Sequence, residues 1–205
     1  MRQFYELITS RRSIRELKEK PVALAQLNRV LEATLWAPSA HNAQPWRFFV
    51  LQSMKEKARL ANAMGNVLRQ DLTADGEEPM KIDELVATSI TRFTSAPVLI
   101  LACLTMEPMD VYPDDKRQRA EYTMAVQSVA AAIQTLLLTA HAEGLAGCWF
   151  CAPLFCPDTV QQILRLPETV IPQALVTLGY ADDMPDPPPR QPLEKLVRFI
   201  KGEGC

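Results

Sequence analysis

The order of apolar and polar residues predicts helices interleaved with short buried strands. Helical spacings of three and four are found over 4–11, 23–36, 55–72, 82–93 and 157–164. Short apolar runs bounded by turn residues predict strands over 46–51, 98–104 and 174–179, with a weaker fourth over 145–150. Pro38 is expected to stop the second helix, and the run from Asp75 to Pro79 to separate the third from the fourth.

A longer helix is predicted over 121–143, and it is apolar over too much of its circumference for a surface helix. Its apolar residues point in several directions, which implies burial on more than one side. Such a helix is either the centre of a monomeric core or half of a subunit interface. Periodicity alone does not separate the two.

Near the C-terminus, a Pro-rich stretch over 182–189 is expected to be extended and semi-rigid. It would deliver Arg190 and a helix starting near Leu193 to a fixed place. Leu193, Leu196, Val197 and Ile200 keep helical spacing and are expected to bury one face. We therefore treat 1–205 as a single domain with no boundary at this stretch.

Composition narrows the function classes. With 205 residues, 48% of them hydrophobic, and a net charge of −2, the chain can bury one core and lacks the basic stripe of a nucleic-acid-binding protein. No uninterrupted apolar run reaches the length of a membrane helix, and the first residues lack the apolar core of a signal peptide. Five cysteines, an odd number, fit a reducing compartment, so we expect a cytoplasmic protein.

Candidate metal and catalytic residues are few. Cys148, Cys151 and Cys156 lack a fourth ligand for a structural zinc site, so we expect no metal, and a reactive thiol at Cys151 is a minor alternative. The only histidines are His41, interpreted as a loop contact, and His141, near a helix C-terminus where a cation is favoured. No Ser-His-Asp set can be assembled, and we assign no catalytic residue.

Two motifs carry most of the functional information. Arg11, Arg12 and Arg15 lie within five residues, and guanidinium groups so close together need solvent or an anion; phosphate matches their planar geometry. An exposed basic run with an Arg15–Glu19 pair is the alternative. The polar segment PSAHNAQPW over 38–46 follows as a loop between a helix and a strand.

Together, RRSIR over 11–15 and PSAHNAQPW resemble the paired signature of the nitroreductase-like flavoproteins, which bind FMN. The sequence GLAGCW over 144–149 is similar to the family's Gly-rich approach to the flavin ring, and GY at 179–180 with RQPL over 190–193 to its closing segment. The resemblance implies an α+β three-layer sandwich with helices around a mixed, mainly antiparallel sheet, assembled as an intertwined homodimer.

The resemblance also implies a set of FMN-binding residues. From one subunit these are Arg11, Arg12, Ser13 and Arg15, then Trp149, Phe150, Cys151 and Ala152 beside the ring, and Arg190 closing on the phosphate. The partner subunit would supply Pro38, Ser39, Ala40 and Asn42. The residue of the middle helix at the pyrimidine edge is not fixed by the motif; Thr88 and Arg92 are candidates.

The implied function is an FMN-dependent oxidoreductase that transfers hydride from NAD(P)H to a small-molecule acceptor, nitro, quinone or otherwise conjugated, by a ping-pong cycle. Pro188 stands where many members have a second basic residue, and Cys151 where many have an acidic one. The region from Cys148 to Pro157 looks closer to the flavin-binding C-terminal domain of deazaflavin-coenzyme glutamyl ligases. Alternatives are therefore a redox step on a deazaflavin-type coenzyme and a flavin-binding protein with little turnover. Substrate choice would depend on 66–81 and 105–119, which match no motif.

Overall fold

The computed structural model describes residues 2–200 and contains one four-stranded sheet. Its strands are β1 (Trp46–Leu51), β2 (Val98–Leu104), β3 (Ala146–Phe150) and β4 (Ile171–Gly179). The spatial order is β1-β2-β4-β3, and all three strand pairs are antiparallel. The strands at the centre, β2 and β4, are apolar along their length, because helices cover both faces of the sheet.

Seven helices surround the sheet in the described part of the chain. They are α1 (Arg2–Ser10), α2 (Leu24–Thr34), α3 (Met54–Ala74), α4 (Pro79–Ser95), α5 (Asp115–Ala142), α6 (Pro157–Leu164) and α7 (Leu193–Leu196). Alternate residues of β2 divide between two apolar clusters. Ile100 and Ala102 pack with α2 and α5, whereas Leu99 and Leu101 pack with α3, α4 and α6. The three-layer α+β architecture implied by the sequence is therefore confirmed.

The long helix α5 is the main support of the first layer. It begins six residues earlier than the apolar pattern predicts, because Asp114 caps it by accepting a hydrogen bond from the Arg117 backbone N–H at 3.0 Å. By length and composition α5 could cross a membrane, which we did not expect from the sequence. Nine of its residues, including Ala125, Ile133 and Leu136, are instead buried within the fold, as in a core helix.

Strand prediction was accurate where apolar runs have sharp ends. The predicted bounds of β1 and β2 are confirmed, whereas β4 starts three residues earlier than predicted, at Ile171. The sheet is mixed only through an isolated parallel bridge between Ser13 and Gly147. The expected burial of the C-terminal helix was wrong for the chain on its own: α7 is one turn, and Leu193, Leu196, Val197 and Ile200 are exposed.

One buried cation links α3 to α4 in the second layer. The Lys57 side chain is 3% exposed, and its Nζ donates a hydrogen bond to the carbonyl oxygen of Ala96, the C-cap of α4. The negative end of a helix favours a cation there. Burial nevertheless lowers the pKa of Lys57 from its ordinary 10.5, because the charged amine loses hydration.

We expect Lys57→Met to reduce the pH dependence of stability. The folded protein binds the Lys57 proton more weakly than the unfolded chain, so the wild-type free energy of unfolding should rise as pH increases from the folded pKa towards 10.5. The Met variant lacks this rise. Urea unfolding from neutral pH to about 10 measures it, with exposed Lys55→Met as the control. A wild-type-to-variant difference that stays constant with pH would contradict the assignment.

Candidate functional site

Arg11, Arg12 and Arg15, called here the arginine run, follow directly after the end of α1. Nη1 of Arg11 is buried and has no hydrogen-bond partner. This is unfavourable for a charged group unless a hydrogen-bond acceptor or a counter-charge lies next to it. Arg12 is held differently: its Nη1 donates to the carbonyl oxygens of Thr9 at 2.7 Å and Arg11 at 2.9 Å, and its Nε to Pro185 at 3.1 Å. Arg12 thus fixes the start of the Pro-rich stretch, and Arg11 remains available to an anion.

The C-terminal end of α5 packs beside this run. Ser10 Oγ and His141 Nε2 share a hydrogen bond at 2.8 Å. Burial lowers the pKa of His141, and the nearby positive charges of Arg11 and Arg12 lower it further. Both effects favour the neutral imidazole, and burial contributes more than the two arginines.

After Arg12, the chain joins the sheet edge at β3. The Ile14 N–H donates to the carbonyl oxygen of Gly147 at 3.0 Å, and Ser13 forms the parallel bridge with Gly147. Burial raises the pKa of Cys148, while the charge of Arg15 and a hydrogen bond from Ser13 lower it, followed by the charge of Arg92. Ser13 therefore lies against β3, and Arg15 is close enough to Cys148 to act on its thiol.

An open cavity of about 540 Å³ lies between the arginine run and α4. Arg15, Thr88 and Arg92 line it together with Glu16, Leu17, Ala87, Thr91 and Ser95. The Arg92 guanidinium also lies 5.2 Å from the ring centroid of Phe150 on β3. Thr88 and Arg92 of α4, the two candidates for contact with the pyrimidine edge, thus line the same cavity as Arg15. Residue spacing in the sequence does not reveal this proximity.

The remaining predicted residues near the ring follow one another at the end of β3. Trp149 and Phe150 are half-buried on opposite faces of the sheet, and the indole Nε1 of Trp149 is buried without a hydrogen-bond partner. Cys151 is exposed at the end of the strand, and Ala152 begins a short 3-10 turn, Ala152–Phe155. The position of these residues, two to five after Gly147, places them along one edge of the candidate site.

The PSAHNAQPW segment forms a loop with unusual backbone geometry. His41, Asn42 and Gln44 have φ values of 55°, 53° and 50°, a left-handed conformation that costs free energy for residues other than glycine. The loop is fastened by the Gln44 N–H donating to Ser39 Oγ at 3.1 Å and by the Ala40 N–H donating to Ser128 Oγ on α5 at 3.2 Å. Pro38 and Asn42 are exposed, while Ser39 and Ala40 are half-buried.

The loop and the arginine run contact different parts of α5. Ser128 anchors the loop, and His141 lies against the run. His141 comes thirteen residues after Ser128, which is about 20 Å along the helix. Arg190 makes no hydrogen bond or ion pair within the described residues, and its neighbours are exposed. A single chain therefore brings Ser13 and Arg15 to β3 and Arg11 to the C-terminal end of α5, whereas the loop is anchored about 20 Å away along that helix.

The four cysteines in the described part of the chain do not form a metal-binding cluster. Cys103, Cys148 and Cys156 are buried, Cys151 is exposed, and all four are free thiols; Cys205 lies outside the described residues. Burial raises the pKa of Cys103 to about 12 and also raises that of Cys156. The buried thiols are therefore small apolar core residues at neutral pH.

Comparison with known proteins assigns this arrangement to a family. A model of the Nitroreductase family matches residues 8–180. An NADH dehydrogenase of Thermus thermophilus is 32% identical, with 91% of each chain covered.

Solved structures show the same fold at lower identity. A BluB-like flavoprotein from Clostridium difficile superimposes with a TM-score of 0.79 at 22% identity, covering 97% of this chain and 99% of that one. The FMN-dependent nitroreductase NfnB from Mycobacterium smegmatis, solved in complex with NADPH, gives 0.73 at 22% identity, covering 98% and 99%.

We expect Gly147→Ala to destabilise the edge on which the arginine run rests. An added Cβ would collide with the Thr177 carbonyl oxygen and lie 2.7 Å from Leu178 Cδ2, both on β4. Overpacking of this kind costs about 1–3 kcal/mol, measurable by urea unfolding. Gly65→Ala is the control, because there the Cβ meets only side chains and alanine favours the helix. Equal midpoints for wild type and Gly147→Ala would contradict the expectation.

Proposed function

Because the chain belongs to the Nitroreductase family, we propose that it is an FMN-dependent oxidoreductase that transfers hydride from NAD(P)H to a nitro, quinone or other conjugated small-molecule acceptor. The observation that carries the proposal is the buried, unpartnered Nη1 of Arg11, beside Arg12 and Arg15. A phosphate would supply the missing acceptor and the opposing charge. The named activities of the relatives support the electron donor.

The residues of one chain would hold FMN from the phosphate to the ring. Arg11 would bind the phosphate, with Arg12 positioning the segment through Pro185, and Ser13 and Arg15 would contact the cofactor beside β3. The cavity that Arg15 shares with Thr88 and Arg92 offers cationic and hydroxyl donors for the pyrimidine edge. Trp149, Phe150, Cys151 and Ala152 would border the ring, and Arg190 would close on the phosphate.

A homodimer would complete the site. Two antiparallel copies of α5 would place the Ser128 end of one beside the His141 end of the other, and so bring Pro38, Ser39, Ala40 and Asn42 to the partner's arginine run. Exposed apolar residues support an interface: Phe4, Tyr5 and Ile8 on α1, and Leu193, Leu196, Phe199 and Ile200 near the C-terminus. The apolar residues of α7, which are exposed in the single chain, would then be buried against the second copy.

The protein's part in the chemistry is to bind, orient and exclude solvent. Bound FMN would accept hydride from NAD(P)H and donate it to the acceptor, so both would use the same site in turn. We assign no side chain as a general base, because the cofactor would supply the redox chemistry. Free thiols at Cys103, Cys148, Cys151 and Cys156 support a reducing, cytoplasmic location.

Anaerobic reduction of the bound flavin tests the function. We expect purified protein reconstituted with FMN to lose its oxidised-flavin absorbance when NADPH or NADH is added without oxygen, and to regain it when a quinone or nitroaromatic acceptor follows. Free FMN under the same conditions is the control. Tight FMN binding with no reduction by either donor would identify a flavin-binding protein instead and contradict the proposed activity.

Mixed dimers test the sharing of the site. Arg15→Ala and Asn42→Asp homodimers should each bind FMN about tenfold to a hundredfold more weakly than wild type, since each loses a contact worth about 1.5–3 kcal/mol. A dimer of one subunit of each kind would carry both lesions in one site and none in the other. Half of its sites should then bind FMN with wild-type affinity in a titration.

The two substitutions suit this test because Arg15 is exposed and because Asp tolerates the left-handed backbone at position 42. Composition of the mixed dimers is checked by native mass spectrometry. If no sites recover wild-type affinity in verified mixed dimers, each chain builds its own site and the shared arrangement is wrong.

A further inference from the structure

A second cluster of polar groups lies at the other end of α5, away from the arginine run. His41 Nε2 is 3.4 Å from Glu121 Oε1 and 3.9 Å from Asp110 Oδ2. The three ligand atoms all lie within 4.8 Å of one another, and no other described group of three His, Cys, Asp or Glu side chains has this spacing. The residues come from the loop, from the segment before α5 and from α5 itself.

Glu121 is the unexplained member of this cluster. Its side chain is 2% exposed, and its Oε2 is buried with no hydrogen-bond partner. Within residues 2–200, no lysine or arginine forms an ion pair with it, and its carboxylate makes one long hydrogen bond, to His41. A buried carboxylate left half unpaired costs free energy, so the site calls for a cation or a proton.

The geometry and the donor types point to a divalent transition metal. Zn²⁺ binds imidazole nitrogen and carboxylate oxygen at about 2.0–2.2 Å, which puts tetrahedral ligands roughly 3.4 Å apart. The His41–Glu121 separation matches that value, and the His41–Asp110 separation needs only a small rotation of an exposed aspartate. In the single chain Asp110 and His41 are 60% and 49% exposed, so an ion can enter the site there and water can supply a fourth ligand.

We propose that His41, Asp110 and Glu121 form a Zn²⁺ site, with Glu121 as the buried anchor. The ion would neutralise both carboxylates, including the buried one of Glu121, which has no lysine or arginine partner among the described residues. It would also fix the strained backbone of His41 and Asn42, and so hold the 38–44 loop against α5. The sequence did not suggest this site, since the only spacing considered for a metal was that of the cysteines.

Zinc binding by the apo protein tests the proposal without reference to flavin. We expect one Zn²⁺ per chain by elemental analysis after dialysis, and an increase in the melting temperature on addition of Zn²⁺ alone. Zinc affinity is measured by competition with a chromophoric chelator. Asp110→Asn and Glu121→Gln should each bind Zn²⁺ more weakly than the wild type, by more than the roughly tenfold to hundredfold that is typical of losing a group outside the ligand set. Measurements use a background in which the exposed Cys151 and the terminal Cys205 are changed to Ser.

Two comparisons separate a ligand role from a folding effect. Asp110 is exposed, so Asp110→Asn should leave the apo melting temperature unchanged while it weakens Zn²⁺ binding. His141→Gln alters the other histidine of the chain and should keep wild-type zinc affinity. The proposal is overturned if the wild type takes up no stoichiometric zinc, or if Glu121→Gln binds zinc as tightly as the wild type. Neither result would bear on flavin reduction, which is measured separately.

Discussion

The burial of α5 against one face of the sheet is the interaction on which the rest of the structure depends. Its inner residues, such as Ile133 and Leu136, close the apolar cluster that contains alternate residues of β2 and β4. Its polar residues then position both functional motifs: Ser128 holds the loop, and His141 lies beside the arginine run. A change in the seating of this helix would therefore move both motifs at once.

Sequence patterns predicted those parts of the fold that local chemistry determines. The strands β1 and β2 begin and end where apolar runs meet turn residues, so their bounds were recovered to the residue. The start of α5 was missed because the first six residues are mostly charged and carry no apolar period; a side-chain cap at Asp114 begins the helix instead. Burial of α7 was predicted from periodicity, but a period indicates that a face will be covered and not which chain covers it.

The same distinction, between features set by local sequence and features set by tertiary packing, applies to the candidate site. Motif resemblance identified the arginine run and the strand that contains Gly147, and the structure places Ser13 and Arg15 beside that strand. Arg92 joins them only through the packing of α4, and His41 meets Glu121 across eighty residues of sequence. Contacts of this kind arise from the fold as a whole, and residue spacing carries no signal for them. The buried, unpartnered atoms could not be predicted from the sequence either, because burial and hydrogen bonding depend on the residues that the fold packs around an atom.

Two of those unpartnered atoms, Arg11 Nη1 and Glu121 Oε2, belong to groups of opposite charge and lie at opposite ends of the same helix. Arg11 Nη1 is near His141, whereas Glu121 Oε2 is twenty residues earlier, about 30 Å along the axis. Across that distance the attraction of two unit charges in water is about 0.1 kcal/mol, and physiological salt screens it beyond about 8 Å. The two groups of one chain therefore cannot neutralise each other. Arg11 and Glu121 are thus too far apart to pair with each other, which is why we propose a phosphate at Arg11 and a zinc ion at Glu121.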